Sequence, residues 1–551
     1  SSQSGFQQWD PLGPLLFAIG LQPAILRLLE EVPEILLNAW YLDDGAIVGS
    51  PQNIIKAFFT LQQICPGLGL RLNLNKTTLW RHPSCRGLIP NPLDIPEVMQ
   101  DGVILLGAPV GLPDFCASAI TKRASKMVSL MQQLSSLDDP HIQYVLLRSC
   151  FGFPKFTYCL RTCDSAILKD AFVPFDEGQC HAIGDIIGSP LSIDDDEWLH
   201  ASLPVSLGGL GIKCAVAHSS AAFVASVLQT SNMVKRLVRS VSSTRDLTNA
   251  SVILSSATAN AYSPIDLPLS ASTTQKQLSR RVDESRHFRL IHCVDDEDLR
   301  RKAVLSSVLL KHTGDFLNVV PSGNLGLKLR PLEFRSACLY RMGLPIFPKE
   351  GHCNSCDKPS DIFGDHPISA CGTGGDRTSR HDSIVDALFN IAREANLAPT
   401  KEERHLLDDN SRPGDITLKR WHRSQGRPTA FDVTVTSPLQ KGMLKKTIED
   451  ATFALSKAAD RKCHKTRDAC QRYGLSFIPL PVTTFGAWDE QAAEHIRDFA
   501  RFQAARSGRA KSIVIAHTFQ RLSVILQRGN AQLLIARCPH ANASSQVSGL
   551  R

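Results

Sequence analysis

Cys353, Cys356, His366 and Cys371 follow the spacing Cys-x2-Cys-x9-His-x4-Cys, and no other pattern in the chain restricts its local folding as tightly. Two cysteines separated by two residues can grip one ion from a single turn. A later His and Cys then complete a tetrahedron around Zn2+. Gly364, Gly372, Pro359 and Pro367 suit a short, loop-rich module held by metal rather than by an apolar core. His352 is an alternative to His366, which we prefer for its position, and Asp365 is placed to orient an imidazole ring. The other cysteines of the 16 are scattered over a long chain, which suits free thiols in a reducing, intracellular setting. The start carries no basic n-region, and the apolar stretch from Leu15 to Leu29 is interrupted by Gly20, Pro23 and Arg27, so we expect neither a signal peptide nor a membrane span.

The 551 residues are 43% hydrophobic and 21% charged, enough for several cores in two to four domains. The net charge of +8 permits a nucleic-acid partner without demanding one. Residues 117–240 read mostly as helix. Ile120, Ala124, Met127, Val128, Met131 and Leu134 form one apolar stripe, with Lys122, Arg123 and Lys126 off it. Residues 240–275, rich in Ser, Thr and Ala, read as a linker.

Trp40-Tyr41-Leu42-Asp43-Asp44-Gly45 followed by Ala46-Ile47-Val48 predicts strand, tight turn, strand, with two carboxylates at the tip. Alone, the pair is more often a solvated turn. Its neighbours alter that reading. Gln7-Gln8-Trp9-Asp10-Pro11-Leu12-Gly13 precedes it, Gly69-Leu70-Arg71-Leu72-Asn73-Leu74-Asn75-Lys76 follows, and Leu105-Leu106-Gly107-Ala108 comes next. In that order these strings resemble the motifs of a non-LTR (LINE-type) retrotransposon reverse transcriptase. The resemblance implies polymerase carboxylates at Asp43 and Asp44, which would hold Mg2+. It also implies nucleotide or primer contacts at Gln8, Pro11, Gly13, Lys76 and Gly107. The family usually has Gly where this chain has Trp9, and its first catalytic aspartate would lie upstream of residue 1. The expectation is therefore a truncated polymerase that does not extend primers by itself.

Toward the other end, a helix from about His381 to Glu394 precedes two candidate strands, Asp415–Leu418 and Thr429–Thr436. Alternation puts Phe431, Val433 and Val435 on an apolar face, and Asp432, Thr434 and Thr436 on a polar one. An antiparallel pairing would bring Asp415 and Asp432 to one cation. With Gly364-Asp365-His366, Gly374-Gly375-Asp376-Arg377 and Arg380-His381-Asp382, the region resembles the zinc knuckle and restriction-like (PD-(D/E)XK) endonuclease of such retrotransposons. The resemblance implies that Asp415 and Asp432 hold Mg2+ (or Mn2+) and that a lysine assists the attacking water. The simplest position for that lysine is occupied by Thr434. Lys462 is the first choice and Lys465 the second, with Lys445 and Lys446 as further alternatives. Between Lys441 and Arg472, nine Lys or Arg face four Asp or Glu, an excess able to hold a DNA backbone.

The implied architecture is multidomain α+β. It comprises a partial palm at 1–115, a helical thumb at 116–240, a linker and helical connector at 241–345, the zinc knuckle at 346–380 and an α/β restriction-like nuclease at 381–530. The implied role is target-primed reverse transcription, with DNA and template RNA as partners, in the nucleus. Two rivals come from other classes: a catalytically inactive relic that only binds nucleic acid, and a structural zinc protein with no nucleic-acid contact.

Overall fold

The computed structural model describes residues 10–86, 91–238, 270–404, 406–407 and 412–537. Gln8, the Trp9 position and most of the expected linker lie outside them. The architecture is mixed α and β, mostly helical, and divides into two compact units. One comprises Ser1–Lys126, Phe156–Phe175 and Ala215–Val282; the other comprises Met127–Lys155, Asp176–Cys214 and Asp283–Arg551.

In the first unit, helix Gly13–Glu31 packs Leu28 and Val32 against Ala57, Leu61 and Cys65 of the helix Pro51–Ile64 and its extension. Ser50 caps that second helix, its hydroxyl accepting from Asn53 N–H at 3.4 Å. Gly20 and Pro23 do not break the helix, which among the described residues is the one long and apolar enough to cross a membrane by length and composition. A proline inside a helix removes one hydrogen bond, and the surrounding turns can tolerate that loss. The predicted hairpin forms, with Leu37–Tyr41 pairing antiparallel to Asp44–Val48. A second hairpin pairs Gly102–Leu105 with Ala108–Gly111 through Leu106 and Gly107, both at positive φ.

The apolar stripe predicted after residue 117 lies on a helix over Pro113–Gln132. Ile120, Ala124, Met131 and Leu134 are buried, Met127 and Val128 are half-buried, and Lys122 and Lys126 are exposed.

The second unit contains a four-stranded sheet of β1 (Pro399–Lys401), β2 (Ile416–Leu418), β3 (Thr429–Thr436) and β4 (Ser476–Thr483). The order across it is β4-β3-β2-β1, with β3 and β4 parallel and the other pairs antiparallel. Ile416, Leu418, Phe431, Val433, Leu480 and Val482 form one core with helices α1 (Asp376–Glu394), α3 (Glu490–Ser507) and α4 (Lys511–Ala536). On the other face, Ala430 and Phe477 pack with Cys470 of α2 (Phe453–Arg472). The expected polar face of β3 is thus covered as well: Ala430 and Thr434 are buried, and Asp432 is only partly accessible beneath α2. A strand inside a sheet with helices on both sides loses the simple apolar-polar alternation.

Elsewhere in this unit, the buried His141 accepts from Leu329 N–H through Nδ1 at 3.2 Å and stacks on Phe334. Burial holds its pKa down to about 4. The unfolded chain therefore takes up the proton first, near pH 6.5. The stabilisation from neutral His141 is complete above that pH and is lost as pH falls toward 4, on the order of 3 kcal/mol at most. We expect thermal unfolding scans between pH 7 and 4.5 to show this loss, with a smaller slope in His141→Asn.

Candidate metal centres

The carboxylates predicted for a polymerase sit where the sequence places them. Leu42 and Asp43 form the two-residue turn, Leu42 adopts φ 58°, and Asp43 and Asp44 are exposed. Gly45 stands opposite Trp40, and a Cβ there would lie 2.5 Å from the indole ring, so glycine lets the ring cross the hairpin. Pro11 is exposed just before the helix that Gly13 opens. Lys76 is exposed in a turn whose N–H donates to Asn73 O at 3.0 Å. Gly107 O accepts from Arg123 at 3.1 Å. The two hairpins belong to separate two-stranded sheets, so hydrogen-bonded strands do not join these residues into one site.

The cysteine-histidine set converges. A hairpin of Gly351–His352 and Pro359–Ser360 carries Cys353 and Cys356 at its tip, where Cys356 N–H and Asp357 N–H both reach back to Cys353 O. A wide turn over His366–Ala370 brings Cys371 back, with its N–H bonded to His366 O at 3.0 Å. Asp361 fixes this loop by accepting from Phe363, Asp365 and His366 N–H. The four donor atoms all lie within 4.8 Å of one another. Cys353 Sγ and Cys371 Sγ are 3.7 Å apart, and Cys356 Sγ is 3.2 Å from His366 Nε2. Tetrahedral Zn2+ with bonds of roughly 2.3 Å to sulfur requires sulfurs about 3.8 Å apart, so this set fits zinc. His366, not His352, completes the group. Asp365 does not orient an imidazole as anticipated; it forms a two-point pair with Arg300, at 2.7 and 3.0 Å. Burial pushes the Cys371 thiol up, but a hydrogen bond from Thr373 and the neighbouring Arg537 guanidinium outweigh it and bring the pKa down to about 6.

Asp415, Asp432 and Lys462 are neighbours across β3 and α2. Asp415 brackets Asp432 on the neighbouring strand. Its N–H donates to Phe431 O at 2.8 Å, and its Oδ2 accepts from Val433 N–H at 2.7 Å. Lys462 of α2 reaches down to Asp432, Nζ to Oδ2 at 2.6 Å. Burial and the negative charge of Asp415 raise the Asp432 pKa, against the pull of Lys462. Lys465 is exposed farther along the same helix; Lys445 and Lys446 are exposed before it, with Lys446 Nζ over the Phe453 ring. Of the four lysines considered, Lys462 is thus the one paired with Asp432.

His381 was quoted in the sequence string but given no role. Its Nε2 lies 3.2 Å from Asp415 Oδ2 and 3.1 Å from Val433 O, while Nδ1 lies 3.1 Å from Asp382. Val433 O can only accept, so Nε2 carries a proton. Hydrogen bonds to Asp415 and Asp382 overcome burial and raise the His381 pKa to about 9. The preceding Arg380 is buried and donates to Ile368 O and Asn530 Oδ1, which fixes the first turns of α1.

No family model matches the chain. One comparison does bear on its origin: 25% identity over 212 residues to the retrotransposable element SLACS 132 kDa protein of Trypanosoma brucei gambiense. Over that stretch the chain is similar to a retrotransposon protein. The match covers 38% of this chain and 17% of that protein's length. It supports a retroelement-related role, and the converged Cys3His group adds a site able to bind zinc.

Proposed function

We propose that this chain is part of a retroelement protein whose second unit nicks DNA in a Mg2+- or Mn2+-dependent reaction, beside a zinc knuckle that contacts nucleic acid. The observation that carries this reading is Asp415 bracketing Asp432 while Lys462 contacts the same carboxylate. Two adjacent carboxylates repel each other, and a divalent cation relieves that repulsion. When bound, the cation supplies Lewis-acid polarisation of the scissile phosphodiester. Asp415 and Asp432 hold it. His381 fixes the rotamer of Asp415. Lys462 leaves Asp432 to orient the attacking water and to stabilise developing negative charge. The exposed Lys457, Arg461 and Lys465 on α2 contact the DNA backbone, giving affinity without sequence information.

The proposal includes RNA-templated copying from the nick by the whole element protein, to whose polymerase centre Asp43 and Asp44 contribute two carboxylates, and not primer extension by this chain alone. A second reading, a catalytically inactive retroelement relic that only binds nucleic acid, is favoured by one observation. Among the described residues, the group of three or more metal-capable donors that converges is the cysteine-histidine set, and it includes none of Asp43, Asp44, Asp415 and Asp432.

Nicking of supercoiled plasmid separates these readings. Lys462→Ala is expected to slow nicking by roughly 10²–10³-fold, within the range for loss of a positioned proton-transfer or charge-stabilising group. Lys465→Ala should change the rate only a few-fold and make its salt dependence shallower, through loss of one phosphate contact. Equal effects of the two substitutions would remove Lys462 from the site.

A further inference from the structure

Beyond the four donors, the cysteine-histidine centre has a fifth participant that the sequence did not suggest. Three thiolates and one neutral imidazole around Zn2+ leave one net negative charge. Cys353 and Cys371 are 2% and 0% exposed, so water does little to solvate these two sulfurs, while Cys356 and His366 are half-buried. Arg537, at the end of α4 and more than 160 residues away in sequence, has a fully buried side chain. Its guanidinium donates to Thr373 O at 2.6 Å and pairs with Asp376 Oδ2 at 2.8 Å, while its buried Nε has no hydrogen-bond partner; the Thr373 hydroxyl in turn lies 3.3 Å from Cys371 Sγ. A planar fork reaches both acceptors at once while keeping its charge delocalised beside Cys371, which a lysine would not reproduce. The end of a helix is also where a cation is favoured.

The surrounding contacts seat the knuckle on α4. Gly364 has φ 79°, and a Cβ there would meet Leu534 at 2.3 Å. Asp376, held by Arg537, is the first residue of α1, the helix that carries His381. We infer that Arg537 is a positioning residue of the zinc centre: it compensates the charge on the Cys371 thiolate from outside the ligand set and ties the loaded knuckle to the start of α1. The inference rests on the zinc reading of the four donors, and it is independent of whether the chain cuts DNA.

The test is zinc competition against a chromophoric chelator, together with the absorption spectrum of the Co2+-substituted chain, for the unaltered protein, Arg537→Met, Arg537→Lys and, as a control on the same helix, Arg521→Met. We expect Arg537→Met to lower zinc affinity about 10–100-fold, as loss of an outer-sphere partner does. Its thiolate-to-cobalt charge-transfer band should move to longer wavelength, because a thiolate without the neighbouring positive charge gives up an electron more easily. Arg537→Lys should recover part of the affinity but not the band position, and Arg521→Met should match the unaltered protein. If Arg537→Met does not fold, Arg537→Lys carries the test through the same band. An unaltered affinity and spectrum in the soluble Arg537 variants would overturn the inference. Failure of the unaltered protein to bind zinc would instead overturn the knuckle reading on which it rests.

Discussion

Asp432→Ala is expected to reduce Mg2+-dependent plasmid nicking by on the order of 10³-fold or more while leaving DNA affinity within a few-fold. The magnitude follows from the several kcal/mol that a bound metal contributes to stabilising transition-state charge, at about 1.4 kcal/mol per factor of ten. Affinity should persist because Asp432 is itself anionic and beneath α2, while the exposed cations of that helix face outward. Folding should persist too. Asp432 is a partly desolvated acid beside another acid, and its loss relieves repulsion. The partner Lys462, with its side chain 30% exposed, can turn to water. Thermal unfolding should therefore show a variant at least as stable as the unaltered chain. Nicking retained in Asp432→Ala would remove this carboxylate from the chemistry.

Removal of zinc, by chelation or by Cys371→Ser, should unfold the knuckle and weaken what it anchors. Metal binding and folding of such modules are coupled, with apparent energies of about 10–16 kcal/mol for comparable zinc sites. Here the hairpin around Cys353 and the wide turn at His366 are held mainly by local hydrogen bonds and the four donors. The core of the four-stranded sheet draws on other residues, among them Phe431, Val433, Leu480 and Phe499. The expected outcome is a zinc-dependent transition covering the knuckle and the start of α1, with most of the far-ultraviolet dichroism of the sheet region retained. Nicking should fall with zinc removal because Arg380 and His381 lose the support of the Ile368 turn. Indifference of both unfolding and nicking to zinc would contradict this coupling.

Local signals in the sequence carried a large part of this structure. The hairpin carrying Asp43 and Asp44, the helix ending at Glu394 and the β2–β3 pairing are each written in short runs whose spacing and turn residues determine them. The zinc donors were legible because ligand spacing is a local constraint. What escaped was set by tertiary context. The face of β3 that carries Asp432 reads as polar, yet it is roofed by α2, a covering that alternation cannot reveal. Asp365 looked like an imidazole partner, but Arg300, distant in sequence, claims it. His381 stood in a quoted string without a role, because its contact to Asp415 depends on how α1 packs over the end of the sheet. Arg537 gave no signal at all, since nothing near it in sequence suggests a metal centre.

The most direct measurement of the central claim is a Mn2+ titration of the zinc-loaded chain followed by electron paramagnetic resonance. The account predicts a bound ion that disappears in both Asp415→Asn and Asp432→Asn and persists in the Asp43→Asn, Asp44→Asn double variant. Mn2+ binding unchanged by either substitution at 415 or 432 would contradict it.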